Sequence, residues 1–392
     1  MFSIFSKKRN YFDYASTTPL DKRVFKAMKP YLVEKFANSS SLYKEGVETG
    51  KALTESRRVV ASVLQVKPDE IIFTGGGTES NNLAILGTYF SNIKKTHSHK
   101  SHFVTTTIEH SSVLEVFRYI EKLGGKVSYV APESNGIVDV KKIEEAITSE
   151  TVLVSVMYSN NEIGTIQPIR EIGKIIKAKK DAGQNIVFHV DACQGALYLS
   201  LLAHELLADF VTLDSSKFYG PKGVGILYKK RNVSISPIIF GGGQEGGLRS
   251  GTENIPGIVG FAEALRIAGL ERESQTKHLS AERDRIIDTL IKNVPGIMVN
   301  GDRIKRLPNN INICVPNLDA EYAVLRLDVL GFAVSSVTTC KTLSEDSSSY
   351  VVKELYGDET CSRSSLRITL GRFTTKREVN ALIKALLTIL KR

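Results

Sequence analysis

Five stretches of this 392-residue chain place reactive side chains where an apolar run stops. "EIIFT" (70–74) runs into "GGGTESNN", and "HFVTTT" (102–107) into "IEHSS" with His110. "TVLVSVM" (151–157) runs into "YSNNEIGTIQP", "NIVFHVD" (185–191) ends on Asp191, and "DFVTL" (209–213) leads to "DSSKFYGPKG" with Lys217. Glycines expose backbone N–H groups and a following helix offers its N-terminus, so the first stretch suits an anion such as phosphate. It is not G-x-G-x-x-G, and a plain glycine turn would account for it equally well. A lone histidine is usually structural or merely exposed, and a carboxylate closing a buried strand can simply cap the next element. Most lysines lie on a solvated surface, whereas Lys217 stands where a strand delivers a side chain to a crevice.

The elements that would position these groups follow from the pattern. With "KVSYV" (126–130) and "VGILY" (224–228) the apolar runs number seven, and stretches of helical periodicity such as "REIGKIIKAKK" (170–180) lie between them. Strands alternating with helices predict a mainly parallel seven-stranded sheet covered by helices. In such a sheet ligands gather at the carboxyl ends of the strands. "FGGGQEGGLRSGTENIP" (240–256) is too glycine-rich for a helix or a strand. A long helix over about 257–293 then ends at Pro295-Gly296, a strand falls at 309–315, and a last helix at about 375–390. The expected architecture is α/β, with an N-terminal arm (1–15), a large domain (16–256) and a smaller α+β C-terminal domain (257–392).

The bulk numbers narrow the class. The chain is 42% hydrophobic and 24% charged, ordinary for a globular protein, and carries no repeat at solenoid periods. No run of about 18 apolar residues implies a membrane span. "MFSIFSKKRN" has too short an apolar stretch for a signal peptide, and its charges follow that stretch. A cytoplasmic protein without membrane contact is expected. The net charge of +10 is spread over the sequence with no nucleic-acid motif beside the basic clusters, so no direct nucleic-acid partner is expected. Cysteines 193, 314, 340 and 361 form no C-x-x-C pair, which argues against a zinc site or disulfide framework and suits a reducing compartment. Cys193 and Cys314 read as packing residues, and Cys361 is left open.

A phosphate seat, a histidine, an asparagine, an aspartate and a lysine at five strand ends suit pyridoxal phosphate. The lysine would hold the aldehyde as a Schiff base, and the aspartate would keep the pyridine nitrogen protonated. The same residues carry a family resemblance. "YFDYASTTPLD" (11–21), "EIIFTGGGTESNN" (70–82), "IEHSSVLE" (108–115), "YSNNEIGTIQPI" (158–169), "FHVDACQ" (188–194), "KFYGPKGVGILY" (217–228), "GGGQEGGLRSGTEN" (241–254) and "SLRITLGRFT" (365–374) resemble the cysteine desulfurases. These are fold-type I pyridoxal-phosphate enzymes of the aminotransferase class V group, and the resemblance runs almost end to end.

The resemblance implies roles. Lys217 would bind the cofactor, with Lys222 as its nearest competitor. Gly77, Thr78, Asp214 and Ser216 would surround the phosphate, His110 would stack on the ring, Asp191 would pair with the ring nitrogen and Gln194 would touch the phenolic oxygen. Asn38, Asn161 and Arg367 would hold the substrate, Arg367 as a carboxylate clamp. Thr252 would reach the cofactor of a second subunit in a homodimer. Cys340, in the polar segment "AVSSVTTCKTLSEDSSSY" (333–350) and followed by Lys341, would be the nucleophile. It would take sulfur from L-cysteine, release alanine and pass a persulfide to an acceptor, such as an iron–sulfur scaffold or a tRNA-thiolation partner.

The sequence also departs from that family. The usual Ser-x-His before the lysine is Asp214-Ser215-Ser216 here, which removes two phosphate donors and adds a carboxylate, with Ser216 left to donate one hydrogen bond. The nucleophile segment reads Ser-Val-Thr-Thr-Cys instead of Ser-Gly-Ser-Ala-Cys, with a stiffer valine at the glycine position. Gly246 stands for an arginine, and Ala37 and Ser39 flank Asn38 in place of Gly and Pro. A selenocysteine lyase of the same fold, or a non-catalytic homologue serving as a binding scaffold, are the competing expectations.

Overall fold

The computed structural model of the chain describes residues 9–336, 348–357 and 359–390. Adjacent residues in the central strands point to opposite faces, and the sequence supplies apolar side chains for both. Phe73, Val104, Val154, Phe188, Val211 and Ile226 enter one hydrophobic core, while their neighbours Ile72, Phe103, Leu153, Val187, Phe210 and Leu227 enter another. The sheet is therefore sandwiched. Its order is Ile71–Thr74, Gly225–Lys229, Phe210–Asp214, Val187–Asp191, Thr151–Met157, His102–Thr106, Lys126–Val130. Every neighbouring pair is parallel except those made by Gly225–Lys229, which runs against both its partners.

Helices Gly77–Thr96 and Ser111–Lys122 bury Leu83, Tyr89 and Phe117 on one face of this sheet. Helix Ile169–Asp181 buries Ile172 and Ile176 on the other. The long helix Ile255–Asn293 starts two residues earlier than its periodicity suggests. Asn254 caps it through a bond from Gly257 N–H to Oδ1 (3.1 Å), and Pro256 fits the first turn, where no N–H partner is needed. The glycine-rich stretch before it is not wholly irregular. Gln244–Gly247 make one tight turn in which Glu245 (φ 49°) and Gly246 (φ 66°) are left-handed, and the Glu245 carboxylate accepts from Arg57 (2.6 and 2.8 Å) and from Phe73 N–H (2.9 Å).

The C-terminal part has its own four-stranded antiparallel sheet, in the order Ser335–Ser336, Ser365–Thr369, Asn310–Cys314, Met298–Val299, with helices Ala320–Val329 and Lys376–Leu390. The N-terminal arm joins the two parts. Asn10–Tyr11 pair with Phe332–Ala333, while Thr18 N–H donates to the Ser216 carbonyl (2.8 Å).

One expectation is overturned in this region. Cys314 and Cys361 form a disulfide, with Cα atoms 5.3 Å apart. Cys314 is therefore not a simple packing residue, and the cysteine pattern does not describe a chain without cross-links. The cause is register: Cys314 lies opposite Ser365, and the short helix Thr360–Arg363 before that strand folds Cys361 back over it. Among the described residues no helix is long and apolar enough to cross a membrane, and no three His, Cys, Asp or Glu side chains group as metal ligands.

Candidate functional site

The carboxyl ends of the central strands, the arm and the C-terminal sheet enclose a cavity of about 270 Å³. Gly77, Thr78, His110, Asn161, Asp191, Gln194, Asp214, Lys217 and Arg367 all line it. Asn38, Ser216 and Thr252 do not. Asn38 and Thr252 are exposed, and Asn38 spends its side-chain oxygen on Ser40 N–H (2.9 Å). Cys340 and Lys341 lie outside the described residues. The described chain leading to them, Ser335–Ser336, pairs with the strand that carries Arg367.

Lys217 ends a one-turn 3-10 helix, Ser215–Lys217, that follows strand Phe210–Asp214 directly. Tyr219 then takes a left-handed φ of 64°, uncommon for a bulky residue. It is held there by Arg372, whose N–H donates to the Tyr219 hydroxyl (2.6 Å) and whose guanidinium lies 4.4 Å over the ring. The turn aims Lys217 at the arm, where Nζ donates to the carbonyls of Ser16 (2.6 Å) and Ala15 (3.2 Å). Lys222 Nζ reaches only the Thr18 carbonyl, at 3.4 Å, and does not line the cavity.

Asp191 closes the middle strand. Its carboxylate accepts from Asn81 Nδ2 (2.8 Å) and from Cys193 N–H (3.0 Å). Cys193 stands after the strand and forms part of the cavity wall, rather than packing within the strand. Burial pushes its thiol well above the ordinary range, so the thiol stays protonated. His110 caps helix Ser111–Lys122, its Nδ1 accepting from Ser112 N–H (3.1 Å). Burial pushes this ring below the usual histidine range, the Lys217 ammonium adds to the effect, and the two nearby carboxylates of Asp191 and Asp214 oppose it. The ring is neutral with its proton on Nε2.

Arg367 comes from the C-terminal sheet. Its guanidinium donates to Asp13 Oδ1 (2.8 Å), Ser16 Oγ (2.6 Å) and the Asn161 carbonyl (3.1 Å). Arg367 Nε nevertheless has no partner among the described residues, nor do Asn161 Oδ1, Ser159 Oγ or Asn81 Oδ1. Buried polar atoms are nearly always paired. Four orphans on residues that line one cavity therefore fit a polar ligand, and the set of lysine, aspartate, histidine and arginine fits pyridoxal phosphate at its ring end.

The anion end is different. Gly77 N–H, the first donor of helix Gly77–Thr96, gives its bond to Asp214 Oδ2 (2.9 Å). Ser216 was expected to turn a hydroxyl toward the phosphate. It gives both its N–H (2.9 Å) and its hydroxyl (2.6 Å) to Asp214 Oδ1 instead. A short carboxylate beside a helix N-terminus collects nearby donors because the dipole favours it there. Gly77 permits the approach, since a Cβ on it would meet Cys193 Sγ at 2.9 Å and Asp214 Cβ at 3.2 Å.

Several contributors carried no assignment in the sequence. Ala15, Ser16 and Asp13 come from "YFDYASTTPLD", a stretch that stood out for its resemblance but had no strand end to mark it. Asn81 sits one turn inside its helix and Ser112 is second in its own, and helical spacing alone does not reveal that they line a cavity.

Residues 10–382 match the model of the aminotransferase class-V family. The cysteine desulfurase IscS of Dictyoglomus turgidum is 41% identical over 386 residues, which cover 98% of this chain and 95% of that protein. Among solved structures, a NifS-like protein superposes with a TM-score of 0.89 at 36% identity, covering 98% of this chain and 99% of its own. The structure of SspA in complex with cysteine superposes with a TM-score of 0.79 at 32% identity, covering 93% and 100%. The chain belongs to the aminotransferase class-V family and, within it, to the cysteine desulfurases of the IscS and NifS kind.

Proposed function

We propose that this chain is an L-cysteine desulfurase that carries pyridoxal 5′-phosphate on Lys217. It moves the sulfur of cysteine onto Cys340 as a persulfide and releases the three-carbon remainder as alanine. The observation that carries the proposal is the cavity that brings Lys217, Asp191, His110, Asn161 and Arg367 together from five separate elements. The relative solved with cysteine supports the substrate.

The bound cofactor would supply an electron sink that acidifies the hydrogen on the substrate α-carbon. The chain supplies the rest. Asp191, fixed by Asn81 and the Cys193 N–H, holds a negative charge where a ring nitrogen would keep its proton. Neutral His110 offers a flat face and a proton on Nε2. Arg367 Nε and Asn161 Oδ1 stand ready for the substrate's carboxylate and amine. Lys217 Nζ, held on two carbonyls, would serve as the base for that hydrogen once it leaves the cofactor. The persulfide then passes to an acceptor protein, for which an iron–sulfur scaffold is the proposed class, in a cytoplasmic setting. Large apolar side chains on the outer surface, Phe36 (80% exposed), Leu42 (96%) and Phe240 (82%), support a homodimer in which Thr252 serves the partner's cavity. The division into an arm, a large domain to residue 256 and a small domain from 257 is part of the same proposal.

Borohydride reduction with cofactor present should leave a pyridoxyl label on the peptide containing Lys217, and Lys217→Ala should abolish it. A label on Lys222 would refute the assignment. Cys340→Ser should keep the visible absorbance of the bound cofactor while ending alanine and sulfide production. A non-catalytic homologue is the second reading, favoured by the hold of Asp214 on the anion end. Absence of visible absorbance in the purified, cofactor-supplied protein would establish it.

A further inference from the structure

We propose that Asp214 is a specificity-determining residue at the anion end of the cavity, acting against a doubly charged phosphate and in favour of a tail without that charge. The inference rests on the reading of the cavity as a cofactor site. Its basis is the set of contacts around one carboxylate. Asp214 already takes three donors, the N–H of Gly77 and the N–H and hydroxyl of Ser216, at distances between 2.6 and 2.9 Å. Asp214 and Gly77 line the cavity, and these donors come from the helix N-terminus and from the turn that ends at Lys217. A phosphate oxygen entering this corner meets a negative charge, and three donors that could neutralise it are already engaged. The corner thus contains an anion of its own, covalently part of the chain.

Two consequences follow. A phosphate must either displace the carboxylate, breaking charge-assisted bonds, or sit beside it with repulsion. A neutral hydroxymethyl tail, as in pyridoxal, can instead donate a hydrogen bond to the same carboxylate. The gap in affinity between pyridoxal phosphate and pyridoxal is therefore narrower in this protein than the rest of the cavity would allow. Asp214→Asn keeps the shape and an acceptor oxygen while removing the charge, and Asp214→Ser clears the corner.

The test is a titration of apoprotein with pyridoxal phosphate and, separately, with pyridoxal, read as absorbance of the bound form. It is run on the natural chain and on both variants. Asp214→Asn and Asp214→Ser should bind pyridoxal phosphate about tenfold to a hundredfold more tightly than the natural chain. Pyridoxal affinity should stay the same or weaken, and its retained binding reports a folded cavity. Unchanged affinity for the phosphate form, or a parallel gain for both compounds, would overturn the proposal. Failure of every protein to bind either compound would overturn the cofactor reading, and this inference with it.

Discussion

Glu109 stands one residue before His110 and is wholly buried. One carboxyl oxygen accepts from the Thr106 hydroxyl (2.7 Å) and Met157 N–H (2.9 Å), and the other has no partner among the described residues. Burial pushes this acid up to about 8, with the nearby Asp191 carboxylate adding to the rise. A carboxyl whose folded pKa lies above its unfolded value favours folding at low pH. That advantage is lost as pH rises from about 4.5 through about 8, and the curve is flat above. Glu109→Gln removes the titration and keeps an acceptor for both donors. Between pH 5 and 8 the natural chain should lose stability relative to this variant by about 1.4 kcal/mol per pH unit, on the order of 4 kcal/mol in all. Denaturant unfolding at a series of pH values checks this, and parallel curves would show that Glu109 is ionised in the folded chain. At this scale the candidate site was partly legible. Lys217, Asp191 and His110 could be found because each stands where an apolar run ends. The bonds from Ser216 to Asp214 could not, because sequence gives the donors and acceptors but not which of them face each other.

His110 and the disulfide show how elements carry the site. His110 is both a wall of the cavity and the cap of helix Ser111–Lys122. His110→Ala should cost roughly 1 kcal/mol of stability, while His110→Asn, which can cap, should recover most of it without restoring the ring. Equal unfolding midpoints for the two variants would show that the cap carries no weight. The Cys314–Cys361 bond closes a span of 47 residues, for which chain entropy alone gives about 4 kcal/mol. Cys361→Ala should lower the unfolding midpoint under non-reducing conditions. With reductant present its midpoint should coincide with that of the natural chain. Element types followed from apolar periodicity, and all seven central strands fall within two residues of the runs that announced them. The disulfide did not follow, because no local spacing relates two cysteines brought together by the register of an antiparallel pair.

The whole molecule leaves apolar surface where the cavity does not need it. Phe36 and Leu42 flank the segment that Ser39 ties to Glu253 (2.9 Å), beside Thr252 and not far along the chain from Phe240. Leu42→Glu should therefore convert a dimer to a monomer at micromolar concentration in sedimentation velocity. If Thr252 serves the partner's cavity, the same variant should also bind cofactor more weakly. A natural chain that sediments as a monomer would remove both expectations. The disulfide has one more effect at this scale. It makes a covalent ring of residues 314–361, and the segment with Cys340 is part of that ring. A protease that cuts once anywhere between Val315 and Thr360 opens the ring without dividing the molecule. The nicked chain would migrate as one species on a denaturing gel without thiol, and would separate into two fragments only after reduction.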